Sequence, residues 1–151
     1  LLATFRSIEF GSADFRKECS LRSEVLYTPL GLDMTGWDLS PEKEHFHFGL
    51  FDPQENIIAC VIATPLSAER AKIRQMAVAE AYRGKGQGRM LLTAAENGLA
   101  QKGFSQVVLH ALMTAAGFYD KLGYTRTGEV FLEVGWPHIK MEKTLVKPST
   151  S

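Results

Sequence analysis

Three glycines alternate with polar or basic residues in Arg83-Gly84-Lys85-Gly86-Gln87-Gly88, between a stretch that reads as a strand, 72–79, and one that reads as a helix, 88–102. A strand, a glycine-rich turn and a helix in that order make an anion-binding corner. The first amides of a helix have no intrahelical acceptor, and they carry the positive end of the helix dipole. Glycine lets the backbone take positive φ and approach a ligand without a Cβ in the way. Arg83, Lys85 and Arg89 add charge at the same place, which suits a diphosphate. A dinucleotide fingerprint, G-x-G-x-x-G, fails because its last glycine would fall on Arg89 or Leu91. A P-loop fails as well, since no Gly-Lys pair is followed by Ser or Thr. A ligand-free turn is the plain alternative, but it needs one or two glycines, not three.

The remaining pattern fits one α/β domain over residues 1–151. A short strand, 5–10, precedes a helix from Ala13 to about Tyr27, which Pro29 and Gly31 end. Residues 31–44 read as a covering loop. The alternating 45–51 and the apolar 57–62 read as a hairpin whose second strand is central. After the 88–102 helix, 107–110 reads as a buried strand and 115–122 as a short helix ended by Gly123. Strands at 124–133 and 138–144 follow, joined by Gly135-Trp136-Pro137. The order is β-α-β-β-β-α-β-α-β-β.

Charge narrows the partners. The 17 Lys and Arg balance the 17 Asp and Glu, so the chain lacks the basic excess of most nucleic-acid binders, and none is expected as partner. No apolar run approaches the ~20 residues of a membrane helix, so no membrane association is expected. The first residues show no signal-peptide pattern, which makes the cytoplasm the expected compartment. Cys19 and Cys60 form neither a CxxC pair nor a metal knuckle and read as buried structural thiols.

At this point a resemblance can be stated. Ile73-Arg74-Gln75-Met76-Ala77-Val78, continued through Gly88, is similar to the core of the GNAT acetyltransferase superfamily. There [QR]-x-x-G-x-[GA] follows an apolar strand, and Arg83, Gly86 and Gly88 match it. Downstream, Ala115-Ala116-Gly117-Phe118-Tyr119-Asp120-Lys121-Leu122-Gly123-Tyr124 resembles that family's A-x-x-F-Y-x-K-x-G-[FY] segment. The ordered pair is more specific than either motif alone. The likeness covers residues 56–145 well and the first 50 only in outline. It implies a GNAT-like fold, a central mixed, mostly antiparallel twisted sheet flanked by helices.

The resemblance also implies roles. Acetyl-CoA would be the acetyl donor, its pyrophosphate held by amides from Arg83 through Arg89, that is Arg83, Gly84, Lys85, Gly86, Gln87, Gly88 and Arg89. Main-chain groups of Met76, Ala77 and Val78 would pair with the pantetheine arm. The Val78 amide would face the thioester carbonyl. Phe118 and Lys121 would flank the cofactor. An amine would attack the thioester directly in a ternary complex, with Tyr119 as the acid that protonates the leaving thiolate. The family's strand glutamate has no counterpart, because residues 71–78 contain no acid.

The base therefore stays open. His110, at a strand end, is the first candidate, His138 the second and Glu133 the third, with an ordered water chain as a further route. His45 and His47, two apart, read as structural in preference to half of a metal site, and no metal is expected. Arg22 reads equally as lining the acceptor cavity or as part of a solvated face. The acceptor is expected to be a small-molecule amine. A protein N-terminus or lysine, and a non-catalytic CoA-binding module, are the alternatives. A homodimer is compatible with the family's habits.

Overall fold

The computed structural model describes residues 2–146. Its elements are β1 (Thr4–Ile8), α1 (Ala13–Arg22), β2 (Phe46–Phe51), β3 (Ile57–Pro65), β4 (Arg70–Val78), α2 (Gln87–Gln101), β5 (Gln106–Leu112), α3 (Ala116–Lys121), β6 (Thr125–Glu133) and β7 (Trp136–Thr144). Among the described residues the strands form one seven-stranded sheet in the order β1-β2-β3-β4-β5-β7-β6. The β4–β5 pair is parallel, while β1–β2, β2–β3, β5–β7 and β6–β7 are antiparallel. This is the mixed, mostly antiparallel α/β arrangement expected. The chain divides into two compact units. One holds the chain up to Thr64 with Gln75–Ala95, the other Pro65–Arg74 and the chain from Glu96 onward.

In the first unit, α1 starts where the Ser12 hydroxyl accepts the Phe15 N–H at 3.1 Å, an N-cap that satisfies one orphan amide. Its inner face places Phe15 against Ile8 and Phe51, and Leu21 against Cys60 and Ala77. The same face carries two charges, Glu18 and Arg22, both essentially fully buried. The helical pattern past Arg22 continues as a wider π-helical turn, Ser23–Tyr27. Residues 28–44 are not plain loop, for 3-10 turns occupy Thr28–Leu30 and Ser40–Glu44. The second turn delivers Glu42, whose two oxygens accept from Arg22 Nη1 and Nη2 at 2.8 and 2.7 Å. Arg22 Nη1 also donates to Glu18 at 3.0 Å. Arg22 is thus neither on a solvated face nor open to a cavity. It is the buried cation that ties α1 to the segment after it.

The strand β3 is central as expected, buried without exposure from Ile58 to Ala63. Cys60 lies within it, and burial raises its thiol far above the ordinary value. Cys19 is only half-buried, and burial pushes its thiol up to about 11.

In the second unit, alternation sets the two faces of the sheet. Val107, Leu109 and Ala111 of β5, with Ile139 and Met141 of β7, are buried. Two helix ends close in the same way. Past α2, Gly103 sits at φ 100°, the Gly103 N–H donates to Ala100 O and the Phe104 N–H to Leu99 O. Past α3, Gly123 sits at φ 91°, its N–H donates to Asp120 O and the Tyr124 N–H to Tyr119 O at 3.1 Å. Both are Schellman closures, which need a residue in the left-handed region. The K-x-G-Y spacing downstream of Tyr119 is therefore a helix stop that fixes Tyr124 beneath it. The Tyr124 hydroxyl then donates to Glu96 at 2.7 Å, and Lys143 Nζ donates to the other Glu96 oxygen at 2.7 Å.

The last hairpin differs from the sequence reading. Its turn is Val134-Gly135, both at positive φ, while Trp136 and Pro137 begin β7. Pro137 is tolerated because β5 ends opposite His138, so Pro137 pairs only with Leu132 of β6.

Replacing Arg22 with Ala would leave Glu18 and Glu42 buried without their cation. We expect Arg22→Ala to lose about 3–5 kcal/mol of unfolding free energy in urea, the usual consequence of breaking one side of a buried ion pair. A loss below about 1 kcal/mol, in the range of exposed pairs, would contradict this account of α1.

Candidate functional site

The turn between β4 and α2 is open. Gly84 and Gly86 have φ of 73° and 79°, and a Cβ built on either would meet nothing within 4 Å. They are glycine for their backbone conformation, not for tight packing. The first helical bond of α2 runs from the Met90 N–H to Gly86 O at 3.0 Å. The amides of Gln87, Gly88 and Arg89 precede it and have no acceptor one turn back. Arg83, Lys85 and Arg89 are exposed around the turn. Gln87 is buried, and its Oε1 lacks a hydrogen-bond partner among the described residues. The corner is thus not filled by side chains, and its donors and charges fit a diphosphate.

The strand that leads into this turn is not regular. Gln75 sits at φ 55° in the middle of β4, a conformation that costs a non-glycine residue about 1–2 kcal/mol. Two contacts hold it there. The Tyr27 hydroxyl donates to the Gln75 side chain, and the Gln75 carbonyl lies 3.9 Å from the Cys60 thiol. Beyond this kink, Ala77 is buried and Met76 and Val78 are half-buried. The Arg83 Nε–H donates back to Val78 O at 3.3 Å, and the Ala79 N–H donates to Ile58 O at 2.8 Å. Nothing in the sequence marks Gln75, since glutamine is not a residue of the left-handed region.

Tyr119 lies in α3 with its ring edge-on to Phe118 and Tyr124, at 5.0 and 5.7 Å. Burial raises its phenol, so it holds its proton at neutral pH. Phe118 and Lys121, on the same short helix, are exposed.

The three base candidates, separate in sequence, come together. His110 pairs with Lys140, and Phe131 pairs with His138. Since side chains alternate with a period of two, His110, Lys140, His138, Phe131 and Glu133 share one face of the sheet. His110 Nδ1 lies 3.0 Å from Glu133 Oε1, and His138 Nε2 lies 3.6 Å from Glu133 Oε2. The Phe131 ring lies between the two imidazoles, edge-on to His110 at 5.0 Å and stacked on His138 at 6.0 Å. Partial burial opposes charge on Glu133. Even so, the bond from His110 and the nearby His138 and Lys72 hold it below the usual carboxylate range. An ionised carboxylate only accepts, so the contact with Glu133 favours a proton on His110 Nδ1 and leaves Nε2 as the nitrogen facing away from it.

His45 lies just before β2 in extended conformation, 3.4 Å from the Thr64 hydroxyl. His47 is buried beside Glu18 and Glu42, and ligand atoms of the three lie within 4.8 Å of one another. The charges there are already matched. Arg22 donates to both carboxylates, His47 Nδ1–H donates to Glu18 at 3.0 Å, and Nε2–H donates to the Glu42 carbonyl at 2.9 Å. A concavity of about 560 Å³ lies elsewhere in the first unit, lined by residues that include Ser20, Ser23, Glu24, Thr28 and Met34. No helix among the described residues is long and apolar enough to cross a membrane.

Comparison with known proteins agrees with this geometry. The family model of the acetyltransferase (GNAT) domain matches residues 38–145. The N-acetyltransferase YitI of Bacillus subtilis is 36% identical over 132 residues, covering 83% of this chain and 88% of that protein. The chain belongs to the GNAT acetyltransferase family. Two other Bacillus subtilis relatives, YyaT among them, are matched over only about half their length, 54% and 49%. Among solved structures, a candidate N-acetyltransferase from Lactobacillus plantarum superposes with TM-score 0.86 at 27% identity, covering 97% of this chain and 100% of that one. A GNAT family acetyltransferase from Elizabethkingia anophelis with acetyl-CoA bound has TM-score 0.71 at 19% identity, covering 95% and 98%, and shares the fold.

The His47 ring predicts a pH dependence. Burial opposes the charged ring, yet the bond to Glu18 raises it above its ordinary value. A raised folded value gives stability that is complete below the unfolded value, about 6.5, and is lost as pH rises through the folded one. Unfolding free energy of the wild type should therefore fall above pH ~6.5, and His47→Gln should lack that component. Equal slopes in both proteins would refute it.

Proposed function

We propose that the protein is an acetyl-CoA-dependent N-acetyltransferase that acetylates the primary amine of a small molecule by direct attack in a ternary complex. The observation that carries this reading is the open corner at the start of α2, where positive-φ glycines leave unpaired amides facing no side chain. The related structure that holds acetyl-CoA has the same fold. Acetyl-CoA would supply the activated acetyl group. Amides from Gly84 to Arg89 and the charges of Arg83 and Lys85 would hold its diphosphate. Main-chain groups of Met76, Ala77 and Val78 would bind the pantetheine arm. Phe118 and Lys121 would contact the remainder.

In this reading two side chains handle protons. An alkyl ammonium near pKa ~10 must lose a proton before it can attack. His110 Nε2, made the free nitrogen by Glu133, accepts it. Tyr119 enters protonated and donates to the departing thiolate.

Two substitutions test the reading. Gly86→Glu sets a carboxylate against the diphosphate site and should abolish CoA binding by calorimetry, whereas wild-type affinity would overturn the cradle. Tyr119→Phe should lower kcat by ~10²-fold or more with CoA affinity intact. Undiminished turnover would remove Tyr119 from the mechanism.

A further inference from the structure

Two imidazoles face one carboxylate in the second unit. Glu133 offers Oε1 to His110 Nδ1 at 3.0 Å, and its Oε2 lies 3.6 Å from His138 Nε2. The two rings are not equivalent. His138 Nδ1 lies 2.8 Å from Trp136 O, which can only accept, so that nitrogen always carries a proton. When neutral, His138 therefore turns the lone pair of Nε2 toward a negative oxygen. When protonated, it turns an N–H⁺ there instead. His110, by contrast, meets Glu133 through an N–H in both of its states, and only its Nε2 changes. One carboxylate thus serves as counter-ion to whichever ring is charged.

We propose that Glu133 is the positioning residue of His110, locking it as the Nδ1–H tautomer, and that His138 competes with His110 for the same negative charge. This rests on the reading of His110 as base only for its catalytic meaning, since the coupling itself is a property of the folded chain. The proton that His110 takes from an ammonium stays on Nε2 while Glu133 balances the charge, and it leaves to water once product has gone. A protonated His138 draws on Glu133 and makes His110 a weaker base. The competition gives the base an internal brake on the acid side of neutrality.

Other charges lie on this face. Lys72 of β4 contributes to the charge balance at Glu133. Lys140, the cross-strand partner of His110, pairs with Glu142 at 3.2 Å, and Glu142 also accepts from Arg70 at 3.3 Å.

The test is nitrogen-15 NMR of histidine-labelled protein across pH 5–9, with the four histidines assigned by single substitutions. In the wild type, His110 should appear as the Nδ1–H tautomer at high pH, and both rings should titrate in two linked steps. In His138→Gln, His110 should titrate in a single step at a higher midpoint. In Glu133→Gln, whose amide oxygen can still accept from Nδ1, the His110 midpoint should fall by roughly one pH unit with the tautomer kept. In Glu133→Leu the tautomer lock should be lost as well, and Glu133→Asp should restore part of both. The acid limb of kcat should move with that midpoint while KM for acetyl-CoA does not. An unchanged midpoint in Glu133→Gln, an unchanged tautomer in Glu133→Leu, or independent single-step titrations in the wild type would overturn the proposal. Linked titrations combined with undiminished turnover in His110→Gln would instead defeat the assignment of the base and leave the coupling standing.

Discussion

The proposed diphosphate site depends on the amides at the head of α2. A helix that starts with a side-chain cap spends those donors internally, as α1 does with Ser12. Here the chain enters through two left-handed glycines, and the space above them is clear of side chains. Donors, dipole and cations then act on whatever anion arrives, and a diphosphate uses all three. The kink at Gln75 belongs to the same functional region. A hydrogen-bonded strand would offer its main chain to its neighbour, and a residue at positive φ breaks that habit just before the turn.

Much of this was legible. Periodicity and turn residues marked the succession of elements, and the glycine spacing marked the open turn before α2 and excluded two rival phosphate motifs. Residues whose environment comes from distant chain were harder to read. Arg22 looked like a surface or cavity residue because its partner Glu42 lies 20 positions away, on a turn that no pattern announced. Gln75 carried no signal, since its conformation is imposed by Tyr27 and its neighbours. His110, Glu133 and His138 could be nominated singly but not joined. The β5–β7–β6 register that unites them also depends on the break between Thr127 and Phe131 in β6. The short segment around Tyr119 shows the reverse case. Its glycine and final tyrosine look like a bare motif, and the structure shows them to be a helix stop followed by a buried anchor on Glu96.

Charge is handled differently in the two units. In the first, Glu18, Glu42, Arg22 and His47 neutralise one another in the interior, which fixes α1 at the cost of desolvation and leaves no group free to react. In the second, Glu133 and His110 are only partly covered, while His138 beside them is buried.

Cys19 and Cys60 gain a meaning from the proposed chemistry. Every acetyl transfer from a CoA thioester liberates a free sulfhydryl, and such a product forms mixed disulfides with protein thiolates wherever conditions turn oxidising. Only the deprotonated sulfur takes part in that exchange. With Cys60 sealed in β3 and Cys19 raised to about 11, both remain protonated at neutral pH. The fold therefore holds both sulfurs in the poorly reactive thiol form toward the CoA thiol that the proposed reaction would release.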